Sequence, residues 1–238
     1  MIKKGDFVKV EYTGYLEDGT IFDTTKEEEA KKGKIYKQNV RYGPILMIVG
    51  SGRMIPGLEK AVEGMEIGAE KSITLNPSEA FGQRDADLIN VIPFSQFERE
   101  DINPVPGMVV TIDNKDGVVR SVGGGRVIVD FNHPLAGQTV KYMIKTIALL
   151  ENISDKAKAL VEDAGIDGEV TVENDTLTIK TKADPSYEYM SRKYALLMNV
   201  KDFLQDIKHL KFNEDYTITE KKPKKEIKAE TAETEKSQ

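Results

Sequence analysis

From Phe7 to Leu16 apolar and polar positions alternate, placing Val8, Val10 and Tyr12 on one face. Period two is the signature of a half-buried strand. Asp18-Gly19 supplies a tight turn, so the stretch DFVKVEYTGYLEDGTIFDTT predicts a hairpin. Residues 26–34 are almost all charged and read as a surface segment, whereas the unbroken apolar run at 45–49 reads as a short buried strand. The period then changes. Leu58, Ala61, Val62 and Met65 recur at helical spacing behind Pro56, which suits the first position of a helix, and Gly64 and Gly68 mark its exit.

Past Arg84 the pattern becomes β-rich, with segments at 108–113, 117–122 and 126–131 joined by turn residues. These predict a small all-β module. A long strand follows in TVKYMIKTIALLE. Beyond it, Ser154 is positioned to cap a helix that Gly165 ends, and EVTVENDTLTIKTK predicts a hairpin turning at Asn174-Asp175. Asp184-Pro185 predicts the start of a long helix to about His209, followed by a strand to about Thr219. Residues 220–238 hold little to bury and read as a disordered tail. The fold class is α+β.

A length of 238 residues suggests two or three domains. With no cysteine there is neither a disulfide framework nor thiolate chemistry, and the charged, alternating start predicts a cytoplasmic protein without a signal peptide. No apolar run reaches the ~18 residues a membrane helix needs. A net charge of −6 argues against nucleic acid as the main partner and suits solubility around sticky clients.

Few motifs suggest chemistry. Gly50-Ser51-Gly52-Arg53 lacks the GK[ST] ending of a phosphate loop, and Gly123-Gly124-Gly125 is better read as a hairpin loop. His133 and His209 stand far apart with no companion ligand, so neither a metal nor another cofactor is expected. Large apolar or aromatic side chains sit beside turns and strand ends, an acid directly follows one of them, and pattern alone reads them as core.

Three blocks, YTGYLEDGTIFDTT, VGSGRMIPGLEKAVEGM and NPSEAFG, occur in an order and spacing that resemble the FKBP-type peptidyl-prolyl isomerases. The segment ending in NHPLAG resembles the insert that SlyD-type members carry in the flap over the active site, and the C-terminal extension is similar to long archaeal members. The resemblance implies an antiparallel sheet wrapped on a short helix, divided as 1–84 plus 133–152 (isomerase), 85–132 (insert) and 153–219 (C-terminal α+β domain). It places a prolyl pocket at Tyr12, Phe22 and Asp23 from the first block, Ile55 and Leu58 from the second, Phe81 from the third, and Tyr142. Ile45 and Met54 fall at the pocket edge, and Leu135 faces the substrate proline. Leu58 stands where the best-known eukaryotic members have Trp, which leaves isomerase activity in place and weakens macrolide binding.

The pocket needs no nucleophile, and His133 is read as a hinge or rim residue. Within the insert, Ile89, Val91, Ile92, Phe94, Phe97 and Met108 are more apolar side chain than so small a module is expected to bury, which makes them candidate contacts for unfolded, proline-containing or nascent chains. The alternative is a non-catalytic holdase in which the insert does the work; a purely structural assembly protein would rest on the C-terminal domain. In that domain Met190, Tyr194, Leu197, Leu204 and Ile207 form one helical stripe, with Tyr189, Leu196, Phe203 and Leu210 on a neighbouring one. Only one stripe can be covered by the adjoining hairpin, which predicts a homodimer. Packing against the chain's own isomerase domain is the alternative.

Overall fold

The computed structural model describes residues 1–216; the predicted tail lies outside them. The first sheet is antiparallel. Its path runs β2 (Ile21–Thr24), β1 (Phe7–Leu16), β9 (Val140–Leu150) and β4 (Glu70–Leu75), and β3 (Ile45–Ile48) also pairs with β1. The register sets Val8 opposite Met47, and Gly14 opposite Tyr142. The predicted hairpin is present, its turn tied by Asp18 accepting from the Thr20 N–H. Residues 27–32 form a short helix, α1 (Glu27–Lys32), where only a surface segment was expected. Ala30 buries its one apolar side and the Glu27–Lys31 pair supports the other.

Helix α2 (Pro56–Val62) lies on the inner face of this sheet, with Leu58 and Val62 buried among Val8, Val10 and Ile144. Gly57 permits its close approach: a Cβ there would stand 2.4 Å from Leu75 Cδ2. The outer face is covered too. Phe7, Leu46 and Ile48 share a core with Leu160 of α4 (Ile153–Asp163) and with Leu196 and Val200 of α5 (Tyr187–Phe203). Ion pairs Lys9–Glu162 (3.2 Å) and Arg53–Asp163 flank the seam.

Between β4 and β9 the chain builds a second sheet, ordered β5 (Ile89–Pro93), β8 (Arg126–Asp130), β7 (Lys115–Gly123), β6 (Val109–Ile112). The module is not all-β. Phe94–Glu98 forms a helical turn, α3, because Phe97 must turn inward to close the core with Ile92, Val119 and Val129. The strand β5 and this turn were too short to show periodicity in the sequence.

In the C-terminal segment β10 (Glu169–Glu173) pairs antiparallel with β11 (Thr176–Lys182), and β12 (His209–Asp215) pairs parallel with β11. Three boundaries differ from expectation. Asn152, not Ser154, caps α4 by accepting from the Asp155 N–H at 2.8 Å. Ser186 caps α5 by accepting from the Tyr189 N–H at 3.2 Å, while Asp184 receives the Ser186 N–H. Helix α5 ends at Phe203 rather than near His209, because Leu204 leaves helical geometry to turn the chain into β12. Leu204 and Ile207 therefore lie beyond the helix and are buried with Tyr189 and Leu196, leaving Met190, Tyr194 and Leu197 exposed beside Tyr187.

Candidate functional site

Strands β1, β2 and β9 bring together Tyr12, Phe22 and Tyr142, and the loop after β4 adds Phe81. Phe22 and Tyr142 meet edge to face at 5.6 Å, Tyr12 meets Tyr142 at 5.7 Å, and Phe22 meets Phe81 at 5.8 Å. All three are T-shaped, the arrangement the ring quadrupoles favour. Leu58 from α2 is buried beneath, and Ile45, Met54 and Ile55 pack around the same cluster. Every residue expected to form the pocket is thus in or against one core except Asp23 and Leu135. Asp23 joins by accepting from the Tyr12 hydroxyl at 2.9 Å. Leu135 is partly buried in the stretch that returns from the module.

Two of these groups are electrostatically distinctive. Burial, then the charge of Asp23 and its hydrogen bond, push the Tyr12 hydroxyl far above the usual tyrosine range. Burial and then Asp23 do the same to Tyr142. The site therefore presents neutral phenols, one carboxylate and aromatic edges. At its rim the Ile55 N–H, just before α2, donates to no acceptor among the described residues.

Two contributors were not foreseen. Gly14 carries no side chain because Phe22 and Tyr142 lie against its backbone: a Cβ would meet Phe22 Cζ at 2.7 Å and Tyr142 Cε1 at 2.9 Å. A glycine inside an alternating strand is the signal that could have found it. Glu59, buried in α2, braces the 51–54 loop by accepting from the Gly52 N–H (3.1 Å), the Met54 N–H (3.0 Å) and the Ser51 hydroxyl (3.4 Å).

The insert residues separate. Ile92 and Phe97 are inside the module's own core, and Phe94 and Met108 pack against it. The expectation that all six form a contact surface is thereby corrected: a four-stranded sheet closed by α3 buries more than the sequence suggested. Ile89 is partly buried and Val91 is 59% exposed. Val105 and Val109, not anticipated, are exposed beside it in character at 53% and 63%.

A cleft of about 1160 Å³ lies elsewhere, in the C-terminal segment between Gly165 and Asp215. Two of its charged groups are already matched: Glu214 accepts from Tyr189, Lys193 and Tyr216, and Arg192 from α5 reaches Glu188 and the Gly165 carbonyl. It offers no aromatic cage. No helix among the described residues is long and apolar enough to cross a membrane.

Two family models match parts of the chain. Residues 1–96 match the model of the FKBP-type peptidyl-prolyl cis-trans isomerases, and residues 90–135 match that of the FKBP26 IF domain. The short-type peptidyl-prolyl cis-trans isomerase of Methanocaldococcus jannaschii is 45% identical over 145 residues, 61% of this chain and 92% of the relative. The 16 kDa FKBP-type isomerase of Escherichia coli is 32% identical over 154 residues, covering 62% and 93%. The SlyD isomerase of Helicobacter pylori is 31% identical over 142 residues, covering 58% and 76%. With three of the four rings, Tyr12, Phe22 and Phe81, drawn from the blocks that carry this likeness, the chain belongs to the FKBP-type peptidyl-prolyl cis-trans isomerase family.

Proposed function

We propose that the isomerase works at the aromatic cluster on X–Pro bonds of unfolded or nascent chains, with the module of residues 85–132 holding the client nearby. The observation that carries the pocket assignment is the meeting of Tyr12, Phe22, Phe81 and Tyr142 over Leu58, beside an Ile55 N–H that has no acceptor among the described residues. Rotation about an X–Pro bond is slow because it breaks amide resonance, a barrier of roughly 18–20 kcal/mol. No covalent bond forms or breaks. The twisted amide separates less charge than the planar one, so a water-poor aromatic wall favours it. Phe22, Leu58, Phe81 and Tyr142 receive the prolyl ring, and the Ile55 N–H binds a client carbonyl. Asp23 and the Tyr12 hydroxyl set polarity near the rotating bond, while Ile45, Met54 and Leu135 border the entry.

On this reading residues 1–84 and 133–152 are the isomerase domain, and the module raises the local concentration of prolines at the pocket. Val91, Val105 and Val109 are its most exposed apolar positions. The segment 153–219 pairs two copies through the exposed Met190, Tyr194 and Leu197, and the protein works in the cytoplasm.

Replacing residues 85–132 with a short loop tests the reading. Turnover of a proline-containing tetrapeptide should survive, and acceleration of a proline-limited protein refolding should fall. Equal loss on both substrates would exclude a client-holding module, and no tetrapeptide turnover by the intact chain would exclude the pocket.

A further inference from the structure

The module follows the outgoing linker at residues 82–88 and precedes the returning linker at 131–137, and these two run side by side. Gly137 N–H donates to the Gly82 carbonyl and Phe131 N–H to the Leu88 carbonyl, both at 2.9 Å. Between those two bonds side chains take over. Asn132 clasps the backbone of Asp85 from both sides, its Oδ1 accepting from the N–H and its Nδ2 donating to the carbonyl, each at 2.8 Å.

Asp130 completes the clasp. Its side chain is 1% exposed, and it is surrounded by donors from three segments. Oδ2 pairs with Arg84 of the outgoing linker and accepts from Arg120 of β7 at 3.1 Å. Oδ1 accepts from Asn132 N (2.9 Å) and Nδ2 (2.8 Å) of the returning linker. A carboxylate this buried is tolerable only when fully partnered, and its partners cannot separate without leaving charge unpaired. The cluster therefore resists splaying of the linkers and tilting of β7 against them.

We infer that Asp130 and Asn132 are positioning residues that lock the two linkers into one strut and so fix the aim of the module over the aromatic pocket. The inference rests on the proposed client-holding role of the module. A short peptide reaches the pocket unaided. A long chain gripped by the module reaches it at an effective concentration set by how narrowly the module is aimed, and a loose hinge dilutes it.

The test uses the full chain, whose lack of cysteine allows spin labels at Lys115→Cys on the module and Glu63→Cys beyond α2. The parent should give one narrow distance distribution. Asn132→Ala should broaden it and lower kcat/KM for a proline-limited refolding protein about five- to tenfold, with kcat and KM for a proline-containing tetrapeptide unchanged. If Asn132→Ala fails to fold, Arg84→Met, at the half-exposed end of the cluster, carries the same measurement. A broad distribution in the parent overturns the strut. Broadening without any loss on the refolding protein overturns its link to turnover, provided that deletion of residues 85–132 does reduce refolding. If that deletion has no effect, the client-holding reading itself has failed, and the distance distributions alone decide whether the strut exists.

Discussion

The imidazole of His133 lies flat on the ring of Phe81, centroids 4.6 Å apart and planes 3° from parallel. Its Nδ1 accepts from the Leu135 N–H at 3.1 Å, so the ring is held by stacking and by its own loop. On the proposed reading, His133 props a pocket wall and carries no proton in the reaction. His133→Ala should lower tetrapeptide kcat/KM about threefold, the equivalent of losing an exposed aromatic pair. His133→Phe should restore it. Failure of His133→Phe to restore turnover would assign the imidazole a chemical role instead.

The Tyr12–Asp23 pair is the polar element of the pocket. Asp23→Ala, which removes the carboxylate, should slow tetrapeptide isomerisation about tenfold, or ~1.4 kcal/mol, with the circular dichroism spectrum unchanged. Phe81→Ala should also slow it, and because the ring is only partly buried the variant should remain folded. Full turnover by both folded variants would place the reaction elsewhere.

Alkaline stability follows from the same pair. The folded protein keeps Tyr12 neutral well past the point where an unfolded chain ionises it, near pH 10. Below that pH both states hold the proton and the contribution is complete. As pH rises above it the unfolded state loses protons that the folded state retains, so stability falls. Tyr12→Phe should make the decline in denaturant midpoint between about pH 9.5 and 11 shallower. A slope identical to that of the parent would show that Tyr12 ionises normally.

Exposed valines on the module should matter for long clients alone. Val91→Lys with Val109→Lys changes positions that are 59% and 63% exposed, so the core of Ile92, Phe97 and Val129 stays intact. Acceleration of protein refolding should drop severalfold while tetrapeptide turnover holds. Refolding at the parental rate would remove this surface from the client path.

For the C-terminal segment, Tyr194→Glu with Leu197→Glu places charge on the exposed side of α5. Light scattering at micromolar concentration should report a dimer for the parent and a monomer for the variant. A parental monomer would end the pairing proposal.

Legibility in the sequence followed the strength of local physics. Val8, Val10 and Tyr12 announced β1 through strict alternation, and Pro56 with its helical spacing announced α2. The apolar run at 45–49 predicted a buried strand but not what covered it. Leu46 and Ile48 face outward, and nothing local says that a helix more than a hundred residues later will cover them. The cap of α4 was misplaced because Asn152 and Ser154 are both good capping residues two positions apart, and only geometry distinguishes them. The pocket was legible through family blocks alone. Taken singly, Phe22 or Tyr142 is indistinguishable from a core ring, and what gives the cluster meaning is the edge-to-face meeting of four of them above Leu58.

The sheet beneath the pocket carries a core on each face, with Val8 and Met47 in the core that includes α2 and Phe7, Leu46 and Ile48 in the core that includes α4 and α5. Stripping away the C-terminal segment would bare three side chains worth about 1.5–3 kcal/mol each when buried. The sheet and both of its covers must therefore melt as one cooperative body. The module's core shares no residue with either, so it can open and close by itself. On the proposed reading, a client that contracts while held by the module would pull on a unit that can yield locally, while the floor under the aromatic cluster stays rigid.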